Sequence, residues 1–183
     1  MEAATDYITT VPRVEQERRG CIRTFTGLYV NPLQLRTEDI SIGDIWHHLS
    51  NLCRYTGACP EFYSVAQHSV YVSSLAWAQY DTKEAALAGL LHDAAEAYMN
   101  DIASPVKHSE GMAGYRAAEK EAERVIFEAF GLSPDWLVKM KEFDDRVFHQ
   151  EAETWWGRTK WIVPSPPAEA KKMFMDRYWE LTL

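Results

Sequence analysis

A His-Asp pair interrupts an otherwise apolar stretch, Leu90-Leu91-His92-Asp93-Ala94-Ala95-Glu96-Ala97-Tyr98. A buried ionised carboxylate is costly unless it is paired or bound to a cation. An imidazole nitrogen beside a carboxylate oxygen is a natural pair of ligands for a divalent metal. Glu96 follows His92 by four residues, so on a helix the two project from nearly the same face. His68 sits in a second packing stretch, Ser64-Val65-Ala66-Gln67-His68-Ser69-Val70, and Asp144 in a third. An isolated His-Asp pair is more often structural, but His68, His92, Asp93 and Asp144 together offer two nitrogen and two oxygen ligands from three helices. Such a set leaves coordination positions open for water and substrate, which a catalytic metal needs and a structural one does not. Asp145 competes with Asp144, because neighbours on a helix point about 100° apart and only one can face the site.

Hydrolysis of a phosphate ester would use every one of these residue types. A divalent ion acts as a Lewis acid on a phosphoryl oxygen and brings the pKa of bound water from near 16 to about 7. Charge developing on the phosphoryl group needs preorganised cations, which Arg54 can supply as a planar fork and Lys107 as a point charge. A departing ester oxygen is a poor leaving group that gains from a proton, which Asp101, or a water it orients, could give. The plainer alternative for Arg54 is a salt bridge without a ligand.

The elements that must position these groups read as helices. Thr24 to Val30, around Gly27, alternate loosely and suit a short hairpin or arm that Asn31-Pro32 ends. Ile42, Ile45, Trp46, Leu49, Leu52 and Cys53 recur at spacings of three and four on one helix face, with Glu38, Asp39 or Ser41 near its start. A second helix is expected over Ser64 to Gln79. A third is expected from Asp81, with Glu84 completing a capping box, to about Met99. Asp101 to His108 reads as loop because Pro105 denies a helix its donor. Glu110 to Phe130 reads as a helix stopped by Gly131, and Ser133-Pro134 restarts one that runs to about Ala152. Past Pro164 to Pro167 a last amphipathic helix carries Met173, Phe174, Tyr178 and Leu181. His47 and His48 on the first of these helices read as packed or surface residues, and His108 and His149 as exposed. Trp155, Trp156 and Trp161 read as an aromatic packing cluster.

Composition narrows the classes. The chain has 183 residues, 46% hydrophobic and 25% charged, enough for one sizeable core and short for two ordinary domains. No run of about 18 apolar residues could span a bilayer. Met1 to Gly20 mixes Asp, Glu and Arg with no apolar centre, unlike a secretory signal. Cys21, Cys53 and Cys59 form no C-x-x-C pair, as expected of buried structural thiols in a reducing cytoplasm. A formal net charge of −8 argues against a surface that tracks a nucleic-acid backbone, which needs clustered Lys and Arg.

The order His, then His-Asp on a helix, then Asp is the signature of the HD superfamily, and the flanking words bring the likeness closer. Phe62-Tyr63-Ser64-Val65-Ala66-Gln67-His68-Ser69, Leu90 through Tyr98, and Asp101-Ile102-Ala103-Ser104-Pro105-Val106-Lys107 resemble the small bacterial and phage HD phosphohydrolases related to YfbR-type deoxyribonucleoside 5'-monophosphatases and phage dATP triphosphohydrolases. The resemblance runs from about Arg23 to Glu151. It implies an all-α, single compact helical bundle over 23–183, with a short N-terminal extended arm or hairpin and a separate N-terminal segment at 1–22. It implies metal ligands at His68, His92, Asp93 and Asp144, the last chosen over Asp145 because the stretch from Asp144 to Glu151 matches the family's spacing. Glu96 then matches the carboxylate that orients or deprotonates the attacking water, and Asp101 a second carboxylate near the leaving group. Arg54 and Lys107 match positions that hold phosphate oxygens, and Tyr55 an aromatic near the nucleoside. The implied cofactor is one divalent transition metal (Mn, Co, Zn or Fe), with Mg accompanying substrate phosphates.

The implied activity is cleavage of the bond between phosphorus and the 5'-oxygen of a deoxynucleotide. The phage-like phrasing points first to dATP, giving deoxyadenosine and triphosphate. The alternatives are a deoxyribonucleoside 5'-monophosphatase and a catalytically silent nucleotide-binding module. The expected partners are a small nucleotide and further copies of the chain, with no nucleic-acid polymer and no membrane, in the cytoplasm, or the host's if phage-encoded.

Overall fold

A computed structural model describes residues 19–183. Most of the N-terminal segment expected at 1–22 lies outside the described residues. The chain enters as a hairpin, β1 (Ile22–Arg23) pairing antiparallel with β2 (Tyr29–Val30), with Ile22 opposite Val30. Gly27 makes the return at φ +93, a conformation open to glycine because it has no Cβ. The hairpin is tied down by side chains. The Thr26 amide and hydroxyl both donate to the buried Asp44 carboxylate, at 2.7 and 2.8 Å.

Asp44 lies in the first turn of α1 (Ile42–Asn51), whose Ile45 and Leu49, four apart, are fully buried. A tight turn over Arg54–Gly57 leads to α2 (Val65–Tyr80), capped by Ser64, whose Oγ accepts from the Gln67 amide at 3.1 Å. The next helix, α3 (Lys83–Leu91), is capped by Thr82 rather than Asp81. Asp81 instead adopts φ +50 to end α2, a role that Asp tolerates better than most residues.

α2 and α3 lie closest where Gly89 faces Ser73. A Cβ on Gly89 would meet the Ser73 Cα at 2.9 Å, closer than real Cβ contacts come. That approach brings the C-terminal end of α3 against His68.

The single helix expected to reach Met99 is divided. After Leu91, turns closed by i to i−3 bonds from the amides of Ala94, Glu96 and Ala97 lead into α4 (Glu96–Met99), which Asn100 ends at φ +74. Ser104–Lys107 is also corrected, from loop to a helical turn, α5, because Pro105 stands in its first turn where no amide donor is needed. Beyond a 3-10 turn at Glu110–Met112, α6 (Ala113–Ala129) ends before Gly131 at φ +67. α7 (Asp135–Trp155) runs nearly a turn past the expected Ala152, and α8 (Pro167–Thr182) buries Ala170 and Phe174.

The result is an all-α bundle with one small hairpin among the described residues. The core runs through α2 and α3 and is covered by α1, α7 and α8. No helix among the described residues is long and apolar enough to cross a membrane. The three cysteines are free and half-buried rather than core thiols. The tryptophans do not form one cluster: Trp155 packs on Tyr63, Trp156 stands edge-on to Tyr55, and Trp161 is exposed.

Candidate metal centre and its surroundings

Three elements converge on one point. His68 from α2 is fully buried, and His92, at the end of α3, is nearly so. Their Nε2 atoms are 3.3 Å apart. Each ring is fixed from behind, because His68 Nδ1 donates to Glu151 Oε1 at 2.7 Å and His92 Nδ1 to the Gly89 carbonyl at 2.8 Å. With both Nδ1 atoms committed as donors, neutral rings would face each other with two lone pairs, which is repulsive unless a cation lies between them.

Asp93 Oδ2 closes the group at 3.2 Å from His92 Nε2 and 3.5 Å from His68 Nε2, and the three donor atoms all lie within 4.8 Å of one another. Asp144 Oδ1, from α7, reaches His68 Nε2 at 3.2 Å. Metal bonds of about 2.0–2.2 Å put neighbouring ligand atoms roughly 3 to 3.5 Å apart, so these spacings suit a divalent ion with nitrogen and oxygen ligands. Asp145 points away, half-exposed and bound to Lys141 at 2.6 Å.

The electrostatics draw positive charge to the same point. Burial disfavours the His92 imidazolium, but Asp93 and then Asp144 outweigh it and hold the ring at about 9. Burial likewise opposes ionisation of Asp93, which His92 and then His68 hold down at about 2. Asp144 is held below its ordinary value against burial, chiefly by His68 and His92.

Behind the centre lies a carboxylate that does not belong to the expected site. Glu151, two turns beyond Asp144 on α7, is fully buried. Its Oε1 accepts from His68 Nδ1 and, at 2.8 Å, from the Tyr63 hydroxyl. Its Oε2 accepts from Arg54 Nε and Nη2, at 3.2 and 3.0 Å, and from the Tyr55 hydroxyl at 2.6 Å. Against burial, His68 and Arg54 hold Glu151 at about 2. Arg54 is therefore a buried ion-pair partner, and only its Nη1, 3.7 Å from Asp93 Oδ2, faces the centre. Tyr55 stacks on Phe148 and stands edge-on to Trp156. The i, i+7 spacing of Asp144 and Glu151 was the available sequence signal, but a glutamate late in an amphipathic helix ordinarily reads as solvated.

On the other side, Glu96 is buried with its Oε2 lacking any hydrogen-bond partner, and Oε1 is 3.9 Å from Lys107 Nζ. Burial, then Asp93 and Asp101, raise Glu96 well above the usual carboxylate range, and Asp101 is raised chiefly by burial. Lys107 on α5 is bound at 2.8 Å to Glu119 of α6, which sequence reading did not single out. Glu123, one turn further, is pushed up to about 7 by burial and by Glu119.

Two cavities flank the centre rather than contain it. One of about 520 Å³ lies between the hairpin, α1 and α4 and is lined by Phe25, His47, His48 and Glu96. The other, about 710 Å³, lies between α5, α6 and α7 and is lined by Lys107, Glu119 and Glu123. His48 is structural: it accepts from the Phe25 amide through Nε2 and donates to the Ala97 carbonyl through Nδ1.

A family model described as 5'-deoxynucleotidase YfbR-like matches residues 60–152, the span that holds His68, His92, Asp93 and Asp144. The uncharacterized protein YfdR of Escherichia coli (strain K12) is 34% identical over 176 residues, which is 88% of this chain and 95% of the relative. An uncharacterized protein of Rhodobacter capsulatus is 35% identical over 119 residues, 63% of this chain and 60% of the relative.

Proposed function

The chain belongs to the YfbR-like 5'-deoxynucleotidase family of metal-dependent phosphohydrolases, and we propose that it hydrolyses deoxyribonucleoside 5'-monophosphates to deoxynucleoside and inorganic phosphate. The observation that carries this reading is the pair of buried imidazoles whose Nε2 atoms face each other 3.3 Å apart while both Nδ1 atoms are spent as donors. His68, His92, Asp93 and Asp144 would hold the ion. A divalent cation there supplies Lewis-acid stabilisation of phosphoryl charge and makes water acidic enough to attack near neutral pH.

The chain's own residues do the rest. Glu96, whose buried position makes it a stronger base than an ordinary carboxylate, takes a proton from the attacking water. Asp101, raised by burial, gives a proton to the departing 5'-oxygen as the bond to phosphorus breaks. Arg54 Nη1 meets a phosphate oxygen from one side and Lys107 from the other.

The reading toward dATP and released triphosphate has less support than the monophosphate alternative, which agrees with the family's described activity. Charge placement favours the same choice. Further phosphates would need cations beyond Arg54 and Lys107, and Lys141, the cation beside Asp144, is engaged by Asp144 and Asp145.

The test is to load the protein with Mn²⁺ and offer each deoxynucleoside monophosphate, ribonucleoside monophosphate and deoxynucleoside triphosphate, separating products by chromatography. Deoxynucleoside and inorganic phosphate from the monophosphates are expected. Inorganic triphosphate from dATP with monophosphates left intact would restore the other reading, and no turnover of any nucleotide would point to a silent binding module.

A further inference from the structure

Glu151 touches neither the metal position nor the space in front of it, yet the two halves of the site hang on its carboxylate. Oε1 holds the Nδ1 proton of His68 and so leaves His68 Nε2 as a lone pair directed at the centre. Oε2 holds two nitrogens of Arg54 and the Tyr55 hydroxyl. Tyr63 donates to Oε1 from the segment preceding α2. These donors leave the carboxylate no further acceptor position of good geometry, and the group is fully buried.

The turn carrying Arg54 and Tyr55 explains why such a tie is needed. Tyr55 and Thr56 both adopt left-handed backbone at φ +55 and +52, and Gly57 follows at +80. Non-glycine residues avoid this conformation, and two in succession persist only when surrounding contacts hold them. The bonds from Arg54 and Tyr55 to Glu151 Oε2 are such contacts, and the Arg54 amide adds one to the Tyr63 carbonyl at 2.9 Å.

We propose that Glu151 is the positioning residue shared by the two halves of the site, setting the tautomer of the metal ligand His68 through one oxygen and the placement of the phosphate-binding Arg54 through the other. The inference rests on the metal centre of the proposed function. Partners that orient a ligating histidine are worth about 10- to 100-fold in metal affinity. Loss of Glu151 therefore reaches a metal site it does not ligate, and at the same time a substrate grip it does not touch.

The experiment compares wild type, Glu151→Gln, Arg54→Lys and Tyr63→Phe. Titration of Mn²⁺ into chelator-stripped protein, followed by calorimetry without nucleotide, reads the metal half. KM for a deoxynucleoside monophosphate at saturating Mn²⁺ reads the substrate half. Glu151→Gln is expected to weaken Mn²⁺ binding by about 10- to 100-fold and also to raise KM. Arg54→Lys should raise KM and leave Mn²⁺ affinity within about threefold, since the His68 partner is intact.

Should Glu151→Gln fail to fold, judged by circular dichroism, Tyr63→Phe with ¹⁵N-histidine spectra decides. His68 is expected to be protonated at Nδ1 in wild type, and Tyr63→Phe, which removes one donor to Oε1, to keep that tautomer. Mn²⁺ affinity unchanged in Glu151→Gln, or a wild-type His68 protonated only at Nε2, overturns the proposal. A wild type that binds no Mn²⁺ would instead overturn the metal centre itself.

Discussion

Glu151 and Glu96 are the same side chain at similar depth, and the fold treats them in opposite ways. Glu151 meets donors at both oxygens and is held at about 2. Glu96 has an oxygen with no partner and two carboxylates nearby, and is pushed well above its ordinary value. The half of the site around Glu151 is thus satisfied before any ligand arrives, which rigidifies it. On the other half, Glu96 Oε2 is left without a partner, and under the proposed function this is where a reacting molecule would be recognised and changed. On that proposal one side is a mount and the other a working face.

The largest effect expected on the mounted side comes from the proposed metal ligands. Asp144 Oδ1 is 3.2 Å from His68 Nε2, whereas Asp145 is half-exposed on Lys141. Asp144→Ala should lose Mn²⁺ binding and turnover together while helical circular dichroism persists. Asp145→Ala removes only a surface ion pair, worth about 0–1 kcal/mol, and should leave both intact. Metal analysis and activity on the two variants check this, and the reverse pattern would move the ligand by one residue.

On the working face the expected loss is confined to rate. Glu96→Ala should keep Mn²⁺ affinity and nucleotide affinity close to wild type while kcat falls by about 10² to 10⁴-fold, as when a positioned general base is removed. Steady-state kinetics with calorimetry of a non-hydrolysable nucleotide analogue measures both. Wild-type turnover in this variant would transfer the role of base to Asp101, and lost Mn²⁺ binding would erase the distinction between the two faces.

How legible the site was in the sequence follows the same division. His68, His92 and Asp93 stood out because polar residues interrupted apolar stretches, and the structure brings their donor atoms together. Helix positions for α1, α2, α6 and α8 followed from apolar spacing, with Ser64 and Gly131 marking ends as expected. Glu119 was not singled out, and Glu151 entered only as the far end of a spacing from Asp144 without a role of its own, since a glutamate on a long amphipathic helix carries no local mark of burial; its burial is decided by which side chains the tertiary fold brings to it. The break after Leu91 and the helical turn at Ser104–Lys107 were missed for a different reason. Periodicity does not separate α-turns from tighter i to i−3 turns over four residues, and Pro105 reads as a breaker unless its place in the first turn is known. The left-handed pair Tyr55 and Thr56 likewise carried no sequence mark, and the Tyr55 hydroxyl is held there by the distant Glu151.

The smallest effect, and the most direct contrast between the two glutamates, lies in the pH dependence of stability. Glu151 has a depressed folded-state pKa, from 4.5 to about 2, so its contribution is fully present above 4.5 and is lost as pH falls toward 2. That shift corresponds to about 3 kcal/mol at most. Glu96 has the opposite sign. Its raised pKa means the folded state prefers the protonated form, so its penalty is absent below 4.5 and grows as pH rises toward its folded value. Urea unfolding of chelator-stripped protein from pH 7 to 3, with metal linkage thereby removed, should show a decline on the acid side that Glu151→Gln flattens. Glu96→Gln should leave that acid decline in place and raise stability near neutral pH relative to pH 4. Parallel pH profiles for the two variants would show that both carboxylates sit in equivalent surroundings, and the division of the site into mount and working face would fall with them.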